Sequence, residues 1–247
     1  RTDIGKELRK FFSAENGVLV DADYSQIELR VLAHVAGDEV MAEDFRENRD
    51  IHTSTASRVF GVTTDLVTPQ MRSSAKAVNF GIVYGIGAFS LSKDIGVTRK
   101  EADDYIKEYL KNYSGVDRYM KDTVEKAKEL GYVETIFGRR RYLPELKSSN
   151  FNMRSFGERV ARNMPIQGAA ADIIKIAMIK VSERLKKEKL SARLILQVHD
   201  ELIVECPENE AETVKKLLKE EMEAAVSLNV PMRADASYGK TWYEAKQ

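Results

Sequence analysis

Residues 17–24 read Gly-Val-Leu-Val-Asp-Ala-Asp-Tyr, a short apolar run that ends in two acidic residues. Its length and its valines are typical of a buried strand. From Gln26 to Ala36 the apolar residues change to a helical spacing, so the strand gives way to a helix near Asp23. This junction predicts a carboxylate at the end of a buried strand.

The composition is that of an ordinary globular chain. Of the 247 residues, 43% are hydrophobic and 32% are charged, which excludes a disordered, collagen-like or disulfide-rich chain. The 39 basic and 39 acidic residues balance overall. Residues 131–193, however, contain 14 Lys and Arg against 6 Asp and Glu, and residues 194–235 contain 4 against 10. The first stretch is suited to phosphates and the second to cations.

The single cysteine, Cys206, excludes a disulfide within the chain and a Cys-rich zinc site, and it fits a reducing compartment. No apolar run approaches the roughly 18 residues of a membrane span. No signal-peptide pattern opens the sequence. We therefore expect a cytoplasmic protein that has no membrane partner.

The order of the remaining elements predicts the fold class. Helical spacing interrupted by glycines and a proline favours a run of helices from residue 39 to about residue 130. After it we expect a strand pair over residues 132–136 and 141–143, followed by a long helix over 155–189 that is interrupted near Pro165. A hairpin over residues 194–198 and 202–205, a helix over 208–228 and a last strand over 232–237 complete the chain. This order favours an α+β fold, in which an antiparallel sheet has flanking helices and an all-α lobe is inserted after the first strand.

Acidic residues also lie at the tip of the predicted hairpin. His199-Asp200-Glu201 separates its two strands, where a tight turn more often contains Asn-Gly or Asp-Gly. If the strand that ends at Asp23 is a neighbour of this hairpin, the carboxylates of Asp23 and Asp200 converge. Paired aspartates in a chain with one Cys and three His favour Mg²⁺ over Zn²⁺. The alternative is a solvated hairpin tip and an exposed strand end.

A helix predicted over residues 68–85 carries two cations and two aromatic rings at every fourth position, namely Arg72, Lys76, Phe80 and Tyr84. Pro69 suits its first turn and Gly85 suits its end. The row matches the anatomy of a nucleotide, with phosphates at the cationic end and the sugar and base at the aromatic end. The alternative is an amphipathic helix with buried rings and charges at its rim.

A second polar row lies in the first part of the predicted long helix, over residues 155–168. Arg159, Asn163 and Gln167 repeat the spacing of four with donor-rich side chains. Such a row suits hydrogen bonds to the acceptors of a DNA minor groove, which are similar for all base pairs. The alternative is a solvated helix face.

Three motifs, in order along the chain, resemble those of the bacterial family A DNA polymerases. They are residues 23–30 (Asp-Tyr-Ser-Gln-Ile-Glu-Leu-Arg), the helix residues Arg72, Lys76, Phe80, Tyr84 and Gly85, and residues 197–201 (Gln-Val-His-Asp-Glu). Residues 49–53 and 163–168 match as well, so the resemblance covers essentially the whole chain. It implies an antiparallel palm sheet over residues 1–25 and 155–247 and an all-α fingers lobe over residues 26–154.

The resemblance also implies an activity, the template-directed addition of dNMP to a primer 3′-hydroxyl with two Mg²⁺ ions, for which Mn²⁺ is a possible substitute. The implied metal site consists of Asp23, Asp200 and the Tyr24 carbonyl, with Glu201 as a nearby acid. The implied triphosphate contacts are Arg72, His52 and Lys76, and Lys76 is also the candidate proton donor to pyrophosphate. The implied contacts to the incoming nucleotide are Phe80 on its sugar and base, Gln26, and Glu28, which blocks a ribose 2′-hydroxyl. Tyr84 is implied to stack at the template position and to leave when the helix closes. The implied primer–template contacts are Arg159, Asn163, Gln167 and His199.

Family members carry a thumb and usually nuclease domains upstream of the matched segment, and we expect these to be absent from this chain. We therefore expect a monomeric, nucleoid-associated palm-and-fingers portion that grips primer–template DNA weakly and takes dNTP substrates. The helix over residues 68–85 is expected to swing about Gly85 and Gly87. Two alternatives stay open: an inactive fragment that binds primer–template or nucleotide without turnover, and a single-subunit RNA polymerase relative, against which Glu28 argues.

Overall fold

A computed structural model of the chain describes residues 3–246. The chain divides into two compact units, Arg1–Ile27 with Ala170–Gln247, and Glu28–Ala169. We call the first the sheet unit and the second the helical unit.

The strands are β1 (Val18–Tyr24), β2 (Tyr132–Glu134), β3 (Arg140–Tyr142), β4 (Arg193–Val198), β5 (Glu201–Cys206) and β6 (Ala234–Gly239). The α-helices are α1 (Asp3–Glu7), α2 (Ile27–Ala36), α3 (Glu39–Arg46), α4 (Ile51–Phe60), α5 (Pro69–Val83), α6 (Ala88–Ile95), α7 (Arg99–Asn112), α8 (Ser114–Leu130), α9 (Phe151–Lys187), α10 (Ala211–Glu223) and α11 (Trp242–Ala245). Short 3₁₀ helices cover Leu8–Phe11, Thr64–Leu66, Pro144–Lys147 and Glu208–Glu210.

The sheet unit is built on a four-stranded sheet of order β4-β5-β1-β6. All three strand pairs are antiparallel. Strand β1 is central, and its residues Val18, Leu19, Val20 and Ala22 are buried, which explains why it reads as a continuous apolar run. Helix α10 packs on β1 and β6 through an apolar stripe that includes Leu217. Together with the helical unit, this sheet confirms the predicted α+β class.

The helical unit consists mainly of successive helices that pack on one another, with α4 on α5 and α6 on α7. The hairpin of β2 and β3 covers one of its cores, in which Val133 and Leu143 pack against Val124 of α8. Four of its helices, α3, α4, α5 and α7, begin after a residue whose side chain accepts from the first turn. At α7, Thr98 and Glu101 form a reciprocal pair of hydrogen bonds. These caps explain why the helix starts could be read from the sequence.

Three predicted boundaries are wrong. Helix α9 is continuous from Phe151 to Lys187 and contains Pro165, because one proline removes one backbone donor while the remaining turns keep their own hydrogen bonds. Helix α10 ends at Glu223, earlier than predicted. Strand β6 covers Ala234–Gly239, two residues beyond the predicted span. No helix within residues 3–246 is long and apolar enough to cross a membrane.

Candidate active site

Strands β1 and β5 bring two predicted carboxylates to the same end of the sheet. Asp23 lies opposite Glu201 in the antiparallel register. The backbone N–H of Tyr24 donates to the carbonyl oxygen of Asp200 at 3.1 Å. Burial and the neighbouring Asp23 carboxylate raise the pKa of Asp200. The structure therefore places Asp23 and Asp200 side by side, although they are distant in the sequence.

The residues that flank the two aspartates differ in whether their side chains are buried or exposed. The Tyr24 side chain is buried, and its Oη donates to the carbonyl of Met222 at 2.6 Å. Because its side chain is engaged there, Tyr24 can contribute to a site at the strand end only through its backbone. His199 is exposed and has a left-handed φ of 55°, and its carbonyl accepts from the side chain of Gln197 at 2.6 Å. Gln26 also has a left-handed φ, 58°, at the start of α2.

A lysine that follows α11 lies among the acidic residues of the sheet. The Nζ atom of Lys246 is 2.8 Å from Asp23 Oδ2 and 2.7 Å from Glu201 Oε2. It also lies 3.4 Å from Asp21 Oδ1. The indole Nε1 of Trp242 donates to Glu201 Oε1 at 2.5 Å and to Asp21 Oδ2 at 3.1 Å. We call Asp21, Asp23, Asp200 and Glu201 the acidic cluster.

Burial and neighbouring groups shift the pKa values of Asp21, Glu201 and Lys246 in and beside the acidic cluster. Burial, followed by the hydrogen bond and the charge of Glu201, raises the pKa of Asp21 to about 8. Burial alone would raise the pKa of Glu201 as well, but hydrogen bonds from Asp21 and Lys246 lower it. Burial would lower the pKa of Lys246, and its bonds to Asp23 and Glu201 outweigh burial and raise it. The surroundings therefore disfavour the charged form of Asp21 and favour the charged form of Lys246.

The oxygen donors of the cluster fit a hard divalent cation. Mg²⁺ prefers carboxylate and carbonyl oxygens. The Oδ1 atom of Asp23 is buried and accepts no hydrogen bond within the described part of the chain, so it has unused acceptor capacity. Among residues 3–246 no group of three or more His, Cys, Asp and Glu side chains is arranged to hold a metal. A cation at Asp23 and Asp200 would therefore need further ligands from the backbone or from a bound substrate.

In the helical unit, α5 presents the predicted row of cations and rings on its accessible side. Thr68 caps the helix by accepting from the backbone of Met71 at 3.2 Å. Arg72 is half exposed and donates to both carboxylate oxygens of Asp50, from Nε at 3.1 Å and from Nη2 at 2.6 Å. Partial burial would raise the pKa of Asp50, but the bonds from Arg72 and Thr53 lower it to about 2. Arg72 is thus held by an acid that the sequence did not identify.

Lys76 lies one turn after Arg72 and is exposed. Within residues 3–246 no ion pair of Lys76 is formed, in contrast to Arg72. The two cations of the row therefore differ: one is already paired, and the other is free to meet an incoming anion.

His52 lies beneath this row and is almost completely buried, with 1% of its surface exposed. Its Nδ1 is 3.0 Å from the amide nitrogen of Asn79, which is a donor, so the ring is neutral with its proton on Nε2. Burial, with the charges of Arg72 and Lys76, lowers the pKa of His52 to about 4 against the opposing charge of Asp50. The ring lies 5.8 Å from that of Phe80, between centroids. The triphosphate contact assigned to His52 stays a prediction, and a neutral buried ring offers an N–H donor rather than a cation.

The aromatic end of α5 opens on a cavity of about 610 Å³ whose lining includes Phe80, Tyr84, Gly85 and Arg159. Tyr84 is 41% exposed, and its Oη donates to Glu28 Oε2 at 2.9 Å. Gly85 has a left-handed φ of 67°, and a side chain there would lie 3.1 Å from that of Arg159. This exposure argues against the alternative of a helix whose rings belong to the core.

The predicted minor-groove row occupies the first part of α9. Arg159 and Gln167 are exposed, and Asn163 is partly buried. Arg159 makes a 3.2 Å hydrogen bond to Ser155. The Oδ1 atom of Asn163 is buried and has no hydrogen bond partner within the described residues. The row therefore retains polar capacity that the helical unit does not use.

The sheet unit thus carries carboxylates that suit a hard divalent cation, and the helical unit carries a row of cations and rings that suits a nucleotide. The family model for DNA polymerase family A matches residues 1–244. The chain belongs to that family.

Two bacterial relatives and one solved structure show the extent of the similarity. The chain is 54% identical to DNA polymerase I of Bacillus caldotenax and 54% identical to that of Bacillus subtilis (strain 168), in each case over all of this chain and 28% of the relative. It is similar to the POL domain of Pol1 from M. smegmatis in complex with DNA primer-template and dNTP, with a TM-score of 0.95 and 42% identity. That match covers all of this chain and 44% of the other. The chain thus spans less than a third of the length of the two Bacillus relatives.

Proposed function

We propose that this chain carries the nucleotidyl-transfer site of a template-directed DNA polymerase, which joins dNMP to a primer 3′-hydroxyl and releases pyrophosphate. The observation that carries the proposal is the side-by-side position of Asp23 and Asp200 at the ends of neighbouring strands. Membership of DNA polymerase family A supports it. So does the similarity to a POL domain whose structure contains primer-template DNA and dNTP.

In this proposal Asp23, Asp200 and the Tyr24 carbonyl hold two Mg²⁺ ions, for which Mn²⁺ can substitute. The ions would lower the pKa of the attacking hydroxyl and neutralise charge on the phosphates. The chain's own part is to present oxygen ligands in a fixed geometry, which the strand register supplies. Glu201 is tied to Trp242 and Lys246, which makes it a supporting acid rather than a ligand.

The row on α5 would bind the incoming nucleotide. Arg72 and Lys76 would meet the triphosphate, with His52 as a neutral donor below them; the exposure of both cations and the hydrogen bond between His52 and Asn79 support this. Lys76 is also our candidate for the proton donor to pyrophosphate, because it is the cation without an ion pair within the described residues. Phe80 and Tyr84 face the cavity that would receive sugar and base. Gln26 would assist at the start of α2.

Arg159, Asn163, Gln167 and His199 would contact the primer–template end, since all four retain exposed or unused polar groups. The relatives contain long segments beyond the matched part. We propose that those segments supply a thumb and any nuclease activity, and that the whole protein acts on DNA at the nucleoid in replication or repair.

Primer extension tests the proposed function. The full chain is assayed alone and as a replacement for the matching segment of Bacillus subtilis DNA polymerase I, with Mg²⁺, a primer–template and dNTPs. We expect extension by the chimera and a loss of at least about a thousandfold for Asp200→Ala, since several kcal/mol of charge stabilisation would be removed. The exposed Asp65→Ala is the matched control and should extend normally. A chimera that binds primer–template without extending it would overturn the proposal in favour of a binding fragment.

Sugar selection separates a DNA polymerase from an RNA polymerase relative. Glu28 is held by the hydroxyl of Tyr84 at 2.9 Å, and we propose that its carboxylate excludes a ribose 2′-hydroxyl. Glu28→Ala is expected to raise the ratio of rNTP to dNTP incorporation by on the order of a hundredfold, as for a steric and polar mismatch of about 1–3 kcal/mol. The exposed Glu39→Ala on α3 serves as the control. Equal use of rNTP and dNTP by the wild type would instead identify an RNA polymerase.

A further inference from the structure

Lys246 makes contacts that the proposed function does not use. Its ammonium touches Asp23, Glu201 and Asp21 at once, at 2.8, 2.7 and 3.4 Å between nitrogen and oxygen. The side chains of Asp21 and Glu201 are each 4% exposed, whereas that of Asp23 is 28% exposed. The lysine therefore bridges a buried part of the acidic cluster and a part that is open to a ligand.

The buried part of the cluster needs this cation. Two carboxylates out of water repel each other and lose hydration, unless a proton, a donor or a positive charge compensates. Asp21 and Glu201 receive the indole N–H of Trp242 and the ammonium of Lys246. With these partners, their oxygens are already engaged, and neither is offered to an external cation.

In the open part of the cluster, the two carboxylate oxygens of Asp23 have different surroundings. Asp23 gives Oδ2 to Lys246, and its Oδ1 is buried without a hydrogen bond partner in the part of the chain that the structure describes. A divalent cation on this carboxylate would face the ammonium at close range, and like charges at one carboxylate disfavour each other. An ammonium has three donors, so Lys246 can release Asp23 and still keep Glu201 and Asp21.

We propose that Lys246 is a positioning residue that fills the cation requirement of the acidic cluster in the metal-free protein and yields Asp23, but not Glu201 or Asp21, when a divalent cation binds. The inference rests on the proposed function, because it takes Asp23 and Asp200 as the metal-binding pair. It assigns to Lys246 and Trp242 the task of keeping the buried acids out of the metal site.

The test measures Mn²⁺ binding to the full chain by electron paramagnetic resonance, without DNA or dNTP. Lys246→Met removes the competing charge and is expected to tighten Mn²⁺ binding by on the order of tenfold. In EDTA the same variant is expected to unfold at a temperature several degrees lower than the wild type, because the buried acids lose their counterion, and saturating Mn²⁺ is expected to restore part of this loss. Lys246→Arg keeps the charge and should resemble the wild type in both measurements.

Lys240→Met is the matched control, since Lys240 is exposed and lies at the end of β6, near α11. It should change neither quantity. Unchanged or weaker Mn²⁺ binding by Lys246→Met would overturn the inference and leave the proposed function intact. Absence of Mn²⁺ binding in the wild type, with no difference from Asp200→Ala, would overturn both. If Lys246→Met does not fold, Lys246→Gln takes its place, because the amide keeps a hydrogen bond donor without the charge.

Discussion

The acidic cluster of the sheet unit and the cationic row of the helical unit differ in how their charges are held. In the cluster, the carboxylates stand at positions fixed by the register of β1 and β5, and Lys246 and Trp242 compensate them from within. On α5, Arg72 is half exposed with a single acidic partner, and Lys76 is exposed. The buried acids Asp21 and Glu201 are compensated by partners that they keep when a ligand arrives, whereas Arg72 is ready to exchange its acidic partner for a ligand.

Burial is the physical reason for this difference. A buried charge loses several kcal/mol of hydration, so it persists only with permanent partners. A half-exposed ion pair is worth about 0–1 kcal/mol, so a phosphate can replace its acidic member at little cost. The fixed oxygen ligands of the acidic cluster suit metal ions, because the geometry of such ions decides the chemistry. The exchangeable cations on α5 suit a substrate that must enter and leave.

Removal of Asp200 is expected to give the largest effect and to show that the cluster serves activity rather than stability. Its pKa is raised by burial and by Asp23, so the charged form is disfavoured in the folded protein. Asp200→Ala should therefore leave the unfolding free energy unchanged or higher at neutral pH, while primer extension falls by at least about a thousandfold. Urea unfolding and extension assays on the same preparation check this. A variant that loses both to a similar degree would make Asp200 a structural residue.

The sequence sufficed to predict the residues of the acidic pair and of the row on α5, but not the residues that form ion pairs with them. Asp23 and Asp200 could be paired because each ends a strand with a recognisable pattern, and local periodicity sufficed for the row on α5. Lys246 could not be found in this way, because its contact with Asp23 joins opposite ends of the chain. Asp50 was missed for a related reason: its hydrogen bonds to Arg72 connect two helices, α4 and α5.

The burial of His52 could not be predicted from the sequence either, because a histidine in a helical pattern gives no sign of its exposure. His52 resembles a phosphate ligand in the motif over residues 49–53, yet the structure places it in the core. Its ring is neutral there. His52 is thus a titratable group of the helical unit that is buried like Asp21 and Glu201 of the sheet unit.

The pH dependence of stability measures how far burial lowers the pKa of His52, which lies next to the exposed cations of α5. Its pKa of about 4 lies below the ordinary 6.5, so between these values the unfolded chain binds the proton more readily. Because the raised pKa of Asp21 acts in the opposite direction over the same range, the contribution of His52 is the difference between the wild type and His52→Gln. This difference is expected to rise with pH across the window, by about 3 kcal/mol in total. Urea unfolding at intervals from pH 4 to 7 gives the slope.

The exposed His199 supplies the control for this measurement. Its replacement by Asn, which tolerates the left-handed φ of 55°, should keep the wild-type pH dependence. If stability depended on pH with the same slope in the wild type and in His52→Gln, the group that titrates would not be His52. The comparison would then no longer include a buried titratable group next to α5.

The smallest expected effect concerns the ion pair between Asp50 and Arg72. Asn is as good a helix N-cap as Asp, so Asp50→Asn should keep the hydrogen bond from the backbone of Thr53 while it loses the charge that holds Arg72. The pair is 45–46% exposed, and its value of at most about 1 kcal/mol limits the change to about fivefold. We expect the KM for dNTP to fall by up to that factor, since Arg72 no longer has to leave an acid before it meets the triphosphate.

Glu47→Gln removes a comparable exposed ion pair, that with Arg49, away from α5, and it should leave KM unchanged. A rise in KM for Asp50→Asn would mean that Asp50 orients Arg72 for the substrate. The row would then be preorganised in the same sense as the acidic cluster, and the contrast between a fixed site and an exchangeable one would be lost. Because an orienting acid lowers KM and a competing acid raises it, the sign of this small effect decides between the two descriptions.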